Sequence, residues 1–200
     1  MKRTKYFWAL FFFLGLLMSC ENAKKVDFAP RPKGYNKIII PKAQYQELKG
    51  NYPYSFAYSK AAIILPDTVS WAEPYWIYIY YPQWKSFIQL TYKDLKMPKN
   101  QLKYLIDDAY KLAYKHQGKA SNIQEYILTT RSGKKAGIFE LDGEVATSFQ
   151  FYTTDSTKHY LRGAVYVQTA TDNDSLAPII QFLKKDAVKL IETIQWKVEN

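Results

Sequence analysis

The 200-residue chain holds one cysteine, two histidines and eight glycines, and these shortages remove whole classes of chemistry. A single thiol cannot supply a disulfide pair or a cysteine-type zinc site, so stability has to come from packing. There is no Cys-x-x-Cys, no His-Glu-x-x-His, no phosphate-cradling glycine loop and no strained Gly-x-Ser-x-Gly turn. Internal repeats and nucleic-acid-binding motifs are absent too. Neither a cofactor nor a metal is therefore expected.

Long apolar runs are also missing. The longest extends from Tyr6 to Met18, about thirteen residues where a spanning helix needs roughly 17–25. Lys2, Arg3 and Lys5 precede it and Leu17-Met18-Ser19-Cys20 closes it, the order of a basic region, an apolar region and a small-residue cleavage site. The closing tetrad resembles the lipobox of bacterial lipoproteins, in which the thiol receives diacylglycerol and the chain is cut just before it. This predicts a signal peptide over 1–19, lipid attachment at Cys20 and no other role for the sole cysteine. Residues 20–34 carry two prolines and a glycine without apolar period and read as a tether. The fourteen residues after Cys20 could reach roughly 46–50 Å when extended. Loss of three of the 28 basic residues leaves 25 against 18 acidic, a mature charge of about +7. For an exported chain, such a charge fits anionic headgroups, acidic glycans or acidic protein faces rather than nucleic acid.

What the chain has in plenty is aromatic rings, 18 of them tyrosine and five tryptophan. The folded part begins with short apolar segments, Ile38 to Ile40, Tyr52 to Tyr58 and Ala62 to Leu65, with prolines at their ends that favour edge strands or extended segments. Tyr75 to Tyr81 is the strongest strand signal, with Trp76, Tyr78 and Tyr80 on one face and Ile77, Ile79 and Tyr81 on the other. Pro82 to Lys85 leads into a second strand over Ser86 to Tyr92, and the pair reads as a hairpin. Gln101 to Gln117 has helical spacing, with Leu102, Leu105, Ile106, Ala109, Leu112, Ala113 and His116 on one face, Asn100 as cap and Gly118 as stop. Four strand-like segments follow: Ile123 to Thr129, Ala136 to Leu141, Val145 to Tyr152 and His159 to Gln168. The turn signals between them are Arg131 to Lys134 and Asp142-Gly143, the latter of the two-residue type I′ kind. A closing helix runs from Leu176 through Ile194, capped by Asp174 or Ser175, with Pro178 in its first turn. The expected fold of residues 35–200 is one α+β domain, a mostly antiparallel sheet covered by two main helices. By analogy it resembles the PsbP/Mog1-type α-β-α sandwich.

Candidate chemistry is thin. His116 belongs to an apolar helix face and reads as a half-buried structural histidine. His159 stands near Asp155, Ser156 and Arg162, but residues so close in sequence rarely converge as a triad does, and a capped loop between strands accounts for them. Glu140, Asp142 and Glu144 could gather around a hard cation, yet no calcium-loop spacing accompanies them and a solvated hairpin tip explains them. The aromatic segment remains. Trp71, Tyr75, Trp76, Tyr78, Tyr80, Tyr81 and Trp84 are more rings than one face of a small sheet needs. One account is that one face is core and the other lies under a helix or loop; otherwise Tyr75, Trp76, Tyr78, Tyr80 and Trp84 are the candidate interaction surface, for protein contact or for stacking on envelope glycans such as peptidoglycan.

Longer words carry a family likeness: Pro32-Lys33-Gly34-Tyr35, Tyr52-Pro53-Tyr54-Ser55-Phe56, Ala72-Glu73-Pro74-Tyr75-Trp76-Ile77, Asp107-Asp108-Ala109-Tyr110-Lys111-Leu112, Phe149 through His159, Leu161-Arg162-Gly163-Ala164 and Asn173 through Pro178. In this order they resemble the gliding-motility lipoprotein family GldD of Bacteroidetes over nearly the whole mature chain. The resemblance implies a lipid-anchored, non-catalytic envelope component that supports gliding and the linked type IX secretion machinery, with the other proteins of that apparatus as partners. It carries over the acylated Cys20, palmitate among its acyl groups, and no catalytic or cofactor residue. Glu21 is followed by Asn22, Lys24 and Lys25 rather than by the clustered acids of surface-export signals, which points to the outer membrane facing the periplasm.

Overall fold

A computed structural model describes residues 38–130, 133–167 and 173–197, with side chains in the last segment from Leu176 onward. The chain divides into two units, Met1–Asn36 and Lys37–Asn200. The first unit lies outside the described residues, and with it the expected signal peptide, lipid attachment at Cys20 and tether.

The second unit is α+β. Its strands are β1 (Tyr45–Glu47), β2 (Tyr54–Ser55), β3 (Ala57–Ser59), β4 (Ile63–Pro66), β5 (Ile77–Tyr81), β6 (Ser86–Asp94), β7 (Ala120–Thr129), β8 (Lys135–Gly143), β9 (Phe149–Thr154), β10 (His159–Tyr166) and β11 (Gln195–Trp196). Helix α1 (Leu102–Tyr114) follows β6, and α2 (Asn173–Thr193) follows β10. Seven strands form one sheet in the order β4-β5-β6-β10-β9-β8-β7, every pair antiparallel. Two small two-stranded sheets, β1-β3 and β11-β2, complete the set.

The period of two decides the layers. Ile77, Ile79 and Tyr81 of β5, with Ile88 and Leu90 of β6, Leu161 and Val165 of β10 and Phe149 and Phe151 of β9, are almost fully buried on one face. They join Ile179, Ile180, Leu183, Ala187, Leu190, Ile191 and Ile194 from α2 and its end in the main core. The helical spacing read from the sequence brings these α2 residues to one side, and each isoleucine or leucine side chain so buried stabilises the fold by about 1.5–3 kcal/mol. On the opposite face, Ala109 and Ala113 of α1 pack with Phe139, Leu141 and Val145 in a smaller second core. The two helices thus cover opposite faces of the sheet, and α1 also reaches β10, where the Tyr160 hydroxyl donates to Leu105 O at 3.0 Å.

Several local expectations are corrected. Residues 38–40 form no strand, and β1 and β11 had no strand signal. Tyr52 to Tyr58 divides at Phe56 into β2 and β3, which pair with different partners. Tyr75 and Trp76 precede β5, because Tyr75 takes a φ of 69° that a strand cannot continue. Asn100 does not cap α1: its Nδ2 donates to Asp94 O at 2.8 Å, and Gln101 occupies the cap position without a side-chain bond. The helix ends at Tyr114, before Gly118. Asp174 and Ser175 lie inside α2 rather than ahead of it, so Pro178 falls in the second turn and one helical hydrogen bond is forgone.

The β7–β8 turn forms at Gly133, with φ +78° and its N–H donating to Thr130 O; Arg131 and Ser132 lie outside the described residues. Asp142-Gly143 is not a two-residue hairpin. β8 continues through Gly143, which pairs with Ala120 beside an irregularity in the ladder, and a connection over 144–148 leads to β9. Gly143 has φ +103°, and a Cβ there would stand 2.8 Å from Ser121 N, so the chain can leave the sheet only at a glycine.

Candidate interaction face

Where α1 stops, the same sheet face continues over β4, β5, β6 and β10 without a helix among the described residues. Register aligns one row across all four strands: Ile63 opposite Tyr80, Tyr80 opposite Phe87, Phe87 opposite Tyr166. A second row runs from Leu65 to Tyr78 to Gln89 to Ala164. Ile63 is 48% and Leu65 38% exposed, while Tyr78, Tyr80, Phe87 and Tyr166 are half-buried against one another. Tyr78 meets Phe87 edge-on at 5.1 Å, and Phe87 stacks on Tyr166 at 4.9 Å. Such ring pairs contribute about 0.5–1.5 kcal/mol beyond their burial and hold the rings still. Gln89 fixes the second row by donating through Nε2 to Asp67 Oδ2 at 2.9 Å and to the Tyr78 hydroxyl at 3.3 Å. Burial first, and then Asp67, push the Tyr78 hydroxyl up to about 12, so it remains a neutral donor.

The candidates read from the sequence separate into three places. Tyr78 and Tyr80 lie on the open face. Tyr75 and Trp76 stand at one end, where Tyr75 is 41% exposed and its carbonyl accepts the Tyr54 hydroxyl at 2.6 Å. Trp76 donates Nε1–H to Tyr92 O at 2.9 Å and lies under Lys93 Nζ at 5.1 Å from its ring. Trp84 lies on the α2 side, stacked on Tyr81 at 6.1 Å and edge-on to Phe182 at 5.2 Å. Ile63, Leu65, Phe87 and Tyr166 were missed. The outward alternate positions of β6 contained Phe87, but only the register joins it to Tyr166, 79 residues further along.

The other polar candidates serve local structure. Asp155 Oδ1 accepts backbone N–H groups from Thr157, Lys158 and His159 at 2.8–3.0 Å. Burial would raise its carboxyl, but these three donors more than offset that and hold it below the usual range. His159 Nδ1 pairs with the Tyr92 hydroxyl at 2.8 Å, its ring stacked on Trp196 at 5.1 Å. Arg162 instead donates to Gln150 Oε1 at 2.5 Å, so Asp155, Ser156, His159 and Arg162 do not converge. Glu140 accepts from Tyr126 at 2.5 Å and from Lys184 at 3.0 Å, and Asp142 faces Asn122 Nδ2 at 3.5 Å. Among the described residues, no three His, Cys, Asp or Glu side chains gather as a metal site. No described helix is long and apolar enough to cross a membrane.

A family model described as "Gliding motility lipoprotein GldD" matches residues 25–196. The chain belongs to the GldD family. As a member of a lipoprotein family, it is a membrane-anchored protein of the cell envelope, and the family is named for gliding motility. No curated protein matches the chain. Among solved structures it is similar to the solution structure of cyanobacterial PsbP (CyanoP) from Synechocystis sp. PCC 6803, at 12% identity and a TM-score of 0.46, covering 82% of this chain and 98% of that one.

Proposed function

We propose that this GldD-family chain is a non-catalytic lipoprotein, anchored through Cys20 to the outer membrane and facing the periplasm, that supports gliding motility and the associated type IX secretion machinery through protein contacts. The observation that carries the reading is the open face: Ile63, Tyr80, Phe87 and Tyr166 in register, uncovered by either helix. A fixed row of rings beside exposed aliphatic residues is the composition of an interface centre rather than of a solvated sheet. A glycan platform would need ring faces turned outward, whereas Phe87 and Tyr166 are stacked on each other and Tyr78 is edge-on to Phe87.

The test replaces Ile63 with Asp and Tyr80 with Glu together, in cells that glide. Because neither residue is in the main core, the variant should accumulate at wild-type level. Colony spreading and export of type IX substrates should both fall about tenfold or more. The same charge at Tyr104, 62% exposed on α1, should change neither. Wild-type spreading and export in the double variant would overturn the reading, and sedimentation of the wild-type protein with purified peptidoglycan, lost in the double variant, would favour glycan binding.

A further inference from the structure

Next to the open face, between the C-terminal end of α1 and strands β9 and β10, lies a cleft of about 680 Å³. Arg162 lines it from the middle of β10. One of its donors is used, Nη2 to Gln150 Oε1 at 2.5 Å, and Gln150 is itself buried. No carboxylate pairs with this guanidinium among the described residues; Asp108 acts on it only from a distance. Arginine keeps its charge throughout the physiological range, and a partly buried charge without a counter-ion is costly to the fold. Burial accordingly lowers the Arg162 pKa.

The neighbouring groups add to the same charge. Lys115 and Lys119 line the cleft, and Glu144 is its one acid. His116, also on the wall, is held neutral, first by burial and then by Lys115, Arg162 and Lys119. Thr147 Oγ1 accepts from Gln150 Nε2 at 3.0 Å and pairs with His116 Nε2, also at 3.0 Å, which ties the imidazole to Arg162 through Gln150. Three cations against one carboxylate leave the cleft two positive charges in excess. A carboxylate ligand would cancel one of them, whereas a phosphate monoester, at roughly −1.5 to −2 near pH 7, matches both. The planar guanidinium fork also fits phosphate oxygens two at a time.

We propose that this cleft binds a phosphoryl group, with Arg162 as the anchor, Lys115 and Lys119 as flanking charges, and Leu112 and the Tyr166 ring as the apolar wall for whatever bears the phosphate. The group could be free phosphate ester or a lipid headgroup, since the shared chemistry is the same.

The full chain in a non-ionic detergent would be titrated with sodium phosphate, with sodium chloride at matched ionic strength as control. The Arg162 Nε–H resonance and the melting temperature are the readouts. A saturable shift of that resonance with a rise in melting temperature is expected for phosphate and not for chloride. Arg162→Gln, read by melting temperature, should abolish the rise with phosphate. Should that variant fold poorly, Lys115→Ala with Lys119→Ala keeps the Arg162–Gln150–Thr147–His116 chain and should weaken binding about tenfold or more. Micelles doped with phosphatidic acid that reproduce the shift and block free phosphate identify a headgroup; a shift with free phosphate alone identifies a soluble ester. An equal response to chloride, or one that survives both Arg162→Gln and the paired lysine variant, overturns the proposal.

Discussion

Asp186 is 3% exposed in the seam between α2 and the sheet, a costly position for a carboxylate. Tyr81 donates its hydroxyl to Oδ2 at 2.8 Å, and Tyr45 and Ser59 also hydrogen-bond to the carboxyl. Burial raises the Asp186 pKa, and the three hydroxyls offset that only in part. The same carboxylate, after burial, pushes the Tyr45 hydroxyl up to about 12. A carboxyl whose folded pKa lies above its unfolded value holds its proton more tightly when folded. Its contribution is full below the unfolded pKa, near 3.9, and is lost as pH rises through the folded value. Asp186→Asn keeps an acceptor for Tyr81 and cannot ionise. Its stability relative to wild type should therefore improve from pH 3.5 to pH 7 in chemical denaturation, and a difference independent of pH would refute the assignment. Asp186→Ala strands the Tyr81 hydroxyl and should cost about 1–3 kcal/mol at pH 3.5, and less at pH 7 because it too removes the titrating carboxyl.

At the level of elements, the ladder depends on strand glycines that lie under rings. A Cβ on Gly163 of β10 would stand 2.2 Å from Cε1 and Cζ of Phe151, directly opposite it in β9. Gly163→Ala must displace a ring that is 1% exposed, and should cost about 1–3 kcal/mol. Phe151→Leu removes the obstructing ring edge, so the two changes together should cost less than their sum in urea midpoints; strict additivity would show that the ring is not the obstacle. The glycine in Leu161-Arg162-Gly163-Ala164 gives no hint of this in sequence, because the ring it meets is twelve residues away. Elements with a sustained period were legible: the β5–β6 hairpin, the apolar face of α1 and that of α2. β1 and β11, at three and two residues, are too short to carry a period, and the boundary at Tyr75 follows from one positive φ. The candidate site was legible by half. Alternation puts Tyr78 and Tyr80 on one side, but Ile63, Phe87 and Tyr166 reach them only through register, and Arg162 reaches His116 through Gln150 and Thr147.

For the whole molecule, anchoring and folding should separate. The main core draws its buried residues from Leu48 to Ile194, and the second core from Ala109 to Val145. Buried apolar area is the dominant stabilising contribution, and none of these residues belongs to the segment that carries Cys20. Replacing the thiol by a hydroxyl removes the nucleophile that would take the lipid and leaves both cores as they are. Cys20→Ser should therefore move the protein from the membrane to the soluble fraction while the melting temperature of the folded unit stays within about 2 °C, a shift corresponding to about 0.5–1 kcal/mol for this size. Spreading of the colony should fall with it, since an open face released from the membrane is diluted away from fixed partners. If the variant is soluble, folded and spreads like wild type, the partner does not require a membrane-held face, and the aromatic rows must act from solution.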